Sequence, residues 1–236
     1  MDGFDRASDL WNWVALLPPL IFAITLHEVA HGWVAKLFGD PTASEAGRLT
    51  LNPIKHIDLI GTLILPTVLY LLVGFPFGWA KPVPVDFRRL NNPRRDMVLV
   101  AAAGPGSNLL MALVWMLVGV AAFLYLPIWG EGQVNLLVDD MAKLGIFINL
   151  IIAVFNMLPI PPLDGGRVLA GLLPPPMAKV LGTIEPFGIL IVLGLMVADT
   201  LTRLEFFVPY VLRPVYALQD VYQSVAEYLL MLAGAS

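Results

Sequence analysis

Residues 11–38 read WNWVALLPPLIFAITLHEVAHGWVAKLF. A membrane span needs about 20 mostly apolar residues. This stretch supplies them, interrupted by Pro18-Pro19 and by one polar cluster, His27-Glu28-Val29-Ala30-His31. On a helix, residues four apart share a face and lie about 6 Å apart along the axis. Two imidazoles placed so can reach one Zn²⁺, and the glutamate beside the first can reach a water next to the ion. The chain has only three histidines, so the H-E-x-x-H pattern arises by chance on the order of once in a thousand such sequences. A pair of hydrogen-bonded core histidines is the plain alternative. It fits a membrane span badly, because three ionisable side chains within five residues are costly there and such residues are functional by default.

The rest of the composition agrees with a lipid setting. Of 236 residues, 58% are hydrophobic and 14% charged, against roughly 45–50% and about 25% in a soluble domain. So few charges exclude a soluble enzyme and a disordered chain. A net charge of −4 with no basic face excludes a nucleic-acid partner. With no cysteine, disulfides, thiol nucleophiles and thiolate metal sites are excluded. His27, His31 and His56 carry all the imidazole chemistry.

Apolar runs place spans at about 11–38, 97–126, 141–158 and 180–201, with a shorter run at 59–73 that contains Gly61 and Pro66. Asp2, Asp5 and Asp9 against Arg6 give the start of the chain the wrong sign for a cleavable signal. If 59–73 re-enters rather than crosses, Lys36, Arg48 and Lys55 fall on one side with Lys81, Arg88, Arg89, Arg94, Arg95, Arg167 and Lys179. The acidic terminus and the loop 127–140, with Glu131, Asp139 and Asp140, then fall on the other. The re-entrant reading is preferred, and by the positive-inside rule the basic side is cytoplasmic. Residues 215–232 repeat Val215, Leu218, Val221, Tyr222, Val225, Tyr228 and Leu229 at helical spacing opposite Gln219, Asp220, Gln223 and Glu227, which reads as an interfacial amphipathic helix. No repeat and no long polar stretch divides the chain, so 1–236 reads as one domain.

Two histidines do not complete a catalytic zinc site, which takes three protein ligands and a water. His56 lies in a basic polar loop beyond Pro41 and Pro53 and reads as an interfacial or packing residue. Asp164 stands in apolar sequence after three prolines and before Gly165-Gly166, and it is the favoured third ligand; its plain role would be to cap the following helix. Asp199, near a span end, is the weaker candidate. In the preferred topology His31 and Asp164 reach similar depth from the basic side. Asn149 and Asn156 share one face of an apolar helix; Asn149 reads as an interhelical hydrogen-bonding residue and Asn156 as a catalytic donor.

His27–His31 and the segment Asn156–Gly166, NMLPIPPLDGG, resemble the site-2 protease family of intramembrane zinc metalloproteases. GRLTLNPIKHID (47–58), GWAKPVPV (78–85) and AAAGPGSNL (101–109) are similar to its compact bacterial and archaeal branch, which lacks PDZ and CBS domains. The likeness runs over about residues 20–170. It implies zinc held by His27, His31 and Asp164, Glu28 as catalytic base, and Asn156 as a polar group near the reacting carbonyl. It implies that Asn108 belongs to a neighbouring core helix and that 78–85 forms a membrane-associated β element that meets the substrate. Relative to the smallest members, 59–73 looks like an insertion. The expected fold is an all-α membrane protein: a polytopic helical bundle with a re-entrant segment and a small β element, in a bacterial or archaeal plasma membrane.

In such a site zinc makes its water acidic near pH 7, Glu28 moves the proton, and the metal with one donor holds the oxyanion. The expected partner is a transmembrane segment of a membrane protein, locally unwound and paired with an exposed edge at 78–85, where Pro82 and Pro84 fit only an edge strand. A non-proteolytic zinc-binding membrane protein, such as a transporter or metal sensor, has no need of Glu28. An aspartyl protease built on Asp164 and Asp199 leaves the histidine motif without a role, and Ser107 has no histidine span to partner it.

Overall fold

The computed structural model describes residues 6–73, 78–125, 133–202 and 205–235. The expected acidic start, with Asp2 and Asp5, and Glu131 of the loop 127–140 lie outside these residues. The α-helices are α1 (Arg6–Leu37), α2 (Thr42–Glu45), α3 (Leu65–Val73), α4 (Pro93–Tyr125), α5 (Gln133–Asn156), α6 (Asp164–Leu172), α7 (Pro175–Ile184), α8 (Gly188–Thr202) and α9 (Arg213–Leu232). No strand forms among the described residues. Among the described residues, three helical stretches are long and apolar enough to cross a membrane: Trp13–Leu37, Pro93–Tyr125 and Pro175–Asp199. The protein is an all-α membrane protein.

Boundaries shift from the sequence reading for physical reasons. Helix α5 starts at Gln133 rather than near 141, so Asp139 and Asp140 lie on it instead of in a loop. Lys143 pairs with Asp139 one turn away, and Asp140 accepts the Trp11 indole N–H at 2.8 Å. The last crossing stretch passes from α7 into α8 through a 3₁₀ turn at Glu185–Phe187, where Pro186 removes a helical donor.

Helices α1, α4 and α5 pack on one another. Their contact faces bury Ala15, Ala23 and Ala35 of α1, Ala101 and Ala112 of α4, and Ala142 and Ala153 of α5. Lipid provides no hydrophobic drive between helices, so small residues that let backbones approach closely carry the association. Leu150 fills the space between, fully buried against Ala112 and Val215. The segment expected at the interface, α9, docks its first half on α4 and α5 through Val215, Leu218 and Tyr222, and the Tyr222 hydroxyl donates to the Leu109 carbonyl at 2.9 Å. Val221, Val225 and Tyr228 stay exposed.

Helix α1 stops at Gly39, whose φ of 102° is open to a glycine at little cost. The Gly39 N–H reaches the Lys36 carbonyl and the Asp40 N–H reaches the Ala35 carbonyl, closing the helix end. Asp40 is thereby buried, where it accepts the N–H groups of Thr42 and Asp86. This ties the end of α1 to the segment before α4. Leu150→Ala is expected to lower stability by about 2–5 kcal/mol, while Leu190→Ala at the 67% exposed Leu190 on α8 leaves it nearly unchanged; unfolding of both variants in detergent measures the contrast.

Candidate metal centre

The structure brings His27, His31 and Asp164 together. His27 and His31 project from one face of α1, and Asp164 opens α6. The two Nε2 atoms are 3.1 Å apart. Asp164 Oδ2 lies 3.1 Å from Nε2 of His27 and 3.3 Å from Nε2 of His31. Three zinc ligands at about 2 Å from a metal in tetrahedral array are separated by about 3.3 Å. The observed triangle therefore has the size that such a site requires.

Partners on the far side of each ring fix its tautomer. His31 Nδ1 is 2.7 Å from the Val100 carbonyl, which only accepts, so Nδ1 carries the proton. His27 Nδ1 is 2.7 Å from Asn108 Oδ1. The orientation of Asn108 is set in turn, because its Nδ2 donates to the Ala23 carbonyl and to Asn149 Oδ1. Asn108 thus faces His27 with an acceptor, and Nδ1 of His27 is also the donor. In the neutral rings both Nε2 atoms then present lone pairs toward the carboxylate. Asp164 Oδ2 is buried and accepts no hydrogen bond. Three electron-rich atoms converging in a low-dielectric interior are unfavourable unless a cation sits among them. The donor set, two neutral imidazoles and a carboxylate, suits zinc.

Close approach makes this possible. A Cβ on Gly104 of α4 would come within 2.3 Å of His31 Nε2 and 2.7 Å of His27 Cε1. A Cβ on Gly165 would meet the Met157 and Leu158 carbonyls at 2.2 and 2.4 Å. These two glycines let α4 lie against the rings and let α6 start on the proline-rich turn. Asp164 caps nothing with Oδ2, so the capping alternative does not account for it.

The other expected residues have different surroundings. One oxygen of Glu28, Oε2, accepts the Val83 backbone N–H at 2.8 Å. Asn156, the last residue of α5, donates through Nδ2 to the Ile152 carbonyl of its own helix and makes no hydrogen bond to the three ligands. Asn149 makes the interhelical bond expected of it and also donates to the Gly145 carbonyl. His56 is 2% exposed, with Nε2 on the Thr50 carbonyl, as a packing residue should be. Asp199 accepts the Phe206 N–H and is not part of the cluster. Sequence reasoning missed the carbonyl of Val100 and gave Asn108 a place but no task; the segment Gly104–Asn108 was the available signal.

Comparison with known proteins points to zinc metalloproteases. The model of the family described as "Peptidase family M50" matches residues 117–195. "Putative zinc metalloprotease YwhC" of Bacillus subtilis is 41% identical over 186 residues, covering 77% of this chain and 80% of that protein. "Putative zinc metalloprotease Rip2" of Mycolicibacterium smegmatis is 32% identical over 192 residues, 80% of this chain and 69% of the relative. "Putative zinc metalloprotease MJ0611" of Methanocaldococcus jannaschii is 40% identical over 161 residues, 64% and 71% of the two chains. No solved structure matches.

Asp164→Ala should abolish stoichiometric zinc in purified protein. Asn108→Ala, which frees the His27 ring, should weaken zinc binding by about tenfold or more; elemental analysis and competition with a chelator read both.

Proposed function

The chain belongs to peptidase family M50, and we propose that this zinc metalloprotease hydrolyses a peptide bond within or beside a transmembrane helix of a membrane-protein substrate. The observation that carries the reading is the His27–His31–Asp164 triangle, whose two histidines, with Glu28 beside the first, stand on an apolar helix long enough to span lipid. A water-consuming site inside a membrane protein has peptide bonds of other membrane segments as its nearest substrates.

Bound zinc supplies Lewis-acid polarisation of the scissile carbonyl and makes a neighbouring water acidic near neutral pH. His27, His31 and Asp164 would hold it. Glu28 takes the proton from the attacking water and returns it to the leaving nitrogen. Asn156 is assigned the donor role toward the developing oxyanion. It ends α5 immediately before the turn that carries Asp164, and the Ile152 carbonyl engages only one of its two amide hydrogens.

A substrate helix must unwind before its backbone is open to attack, and its freed N–H and C=O groups need partners in lipid. Residues 78–85 are assigned that pairing role. They form neither helix nor ladder of their own among the described residues, and the N–H groups of alternate residues 79, 81 and 83 turn to the body of the protein. The re-entrant placement of 59–73 is supported by length and by closure. The π-helical turn Leu59–Ile64 and α3 together hold 15 residues, about 22 Å of helix, against about 30 Å of hydrocarbon. The chain then returns to where it left, because the Trp79 N–H donates to the Gly61 carbonyl and the Thr62 hydroxyl to the Trp79 carbonyl. The basic loops meet at that same end: Arg48 donates to the Lys81 carbonyl and Arg89 pairs with Glu45. That end, and with it the active site, is assigned to the cytoplasmic side of the membrane.

Glu28→Gln is expected to lose at least about a hundredfold in cleavage with zinc content unchanged. Undiminished proteolysis, or zinc flux across vesicles that ignores the substitution, would replace the protease with a transporter or sensor. Replacing Trp79–Val83 by a Gly/Ser sequence should slow cleavage with zinc still bound, and cleavage at the wild-type rate would remove the edge from the reading.

A further inference from the structure

Residues 78–85 have an inner side as well as an outer one. Along an extended chain successive residues turn their amides to opposite sides. The odd-numbered ones turn to the body of the protein. The Trp79 N–H donates to the Gly61 carbonyl at 3.0 Å and the Lys81 N–H to the His56 carbonyl at 2.9 Å. The third in the row, Val83, donates at 2.8 Å to Glu28 Oε2 instead. Two of these bonds are ordinary backbone pairs; the third ends on the carboxylate assigned as the catalytic base.

The sequence around Val83 isolates this donor. Pro82 and Pro84 have no N–H, so Val83 holds the single backbone donor of the triplet. Its side chain is 7% exposed, and a Cβ on Gly32 would come within 2.8 Å of Val83 Cγ1 and of Ala43, and within 2.7 Å of Leu49. Gly32 lies four residues after Glu28, on the same face of α1. Val83 is therefore seated in a notch one turn beyond the base, and from there its amide reaches back to the carboxylate. The segment is fixed on both sides of the contact, upstream by Gly61 and His56 and downstream by the Asp86 N–H on the buried Asp40 at 2.7 Å.

The geometry points to Val83 as a positioning residue whose backbone N–H holds one oxygen of Glu28 and leaves the other for proton transfer. A glutamate side chain turns about three bonds, and a base that samples several rotamers is correctly aimed only part of the time. A charge-assisted hydrogen bond from a clamped backbone removes that freedom. The inference rests on the protease reading, since it assigns a task to the base of that reaction.

Two measurements test it. In selectively ¹⁵N-valine-labelled protein in detergent, the Val83 amide, identified by its loss in Val83→Ala, should exchange slowly with solvent. In Glu28→Ala it should shift and exchange at least about tenfold faster. An amide indifferent to residue 28 overturns the contact. For catalysis, the probe is an internally quenched single-span peptide of Leu and Ala with a central Asn-Gly, in liposomes. Val83→Pro, and the backbone ester made by placing the α-hydroxy acid of valine at 83, should each lower kcat by about tenfold or more, with KM and zinc content unchanged. Val83→Ala keeps the N–H and should recover kcat to several-fold above Val83→Pro. An unchanged kcat in the ester, a fall matched by lost zinc or raised KM, or equal loss in Val83→Ala overturns the positioning role. Wild-type protein that binds zinc but leaves the peptide intact overturns the protease reading itself, and with it the role given to Val83, while the exchange result still reports on the contact.

Discussion

Two imidazole nitrogens and a carboxylate oxygen held within 3.3 Å of one another inside an apolar body set the terms for the rest of the molecule. Left to themselves these atoms repel and lack solvent. The fold keeps them there by binding each ring from behind, through Asn108 and the Val100 carbonyl, so that the lone pairs face inward. Asn108 is itself locked by Ala23 and Asn149. A chain of hydrogen bonds thus runs from α5 through α4 to α1 and ends at the group that could hold a metal ion. Buried polar networks in a low-dielectric interior are either fully paired or costly. This one is paired along its length except at the Asp164 oxygen that faces the site.

The alanine-lined interfaces serve the same constraint. Helices α1, α4 and α5 must approach closely enough for side chains as short as asparagine to bridge them. A larger residue at Ala23 or Gly104 would separate the ligands from the groups that orient them. The packing and the chemistry are therefore one requirement seen from two sides.

Much of this was legible in the sequence because lipid makes polar residues expensive. His27, Glu28, His31 and Asp164 stood out against apolar surroundings, and the helical repeat placed the two histidines on one face. Less visible were features set by tertiary approach. The Val100 carbonyl has no signature in a sequence, and Asn108 acquires its task only when Gly104 brings α4 against the rings. The start of α5 was misplaced because Asp139 and Asp140 look like loop charges until Lys143 and Trp11 supply partners. The interfacial helix was read from a correct period, yet half of its apolar face covers α4 and α5 rather than lipid headgroups. At 78–85 the prolines were read as edge markers, but what an extended segment pairs with depends on neighbours remote in the chain, and here they are two carbonyls and a carboxylate.

Pro82 and Pro84 have one more effect. Neither offers an N–H to a backbone that approaches the segment. A ladder between two extended edges needs donors from both, so the two prolines weaken any pairing of this segment with a second copy of itself. An unwound helix brings its own donors and is free of this restriction. If residues 78–85 meet a substrate as proposed, the proline pair would sort visitors by what they carry, disfavouring its own kind and admitting a backbone that has just lost its internal hydrogen bonds.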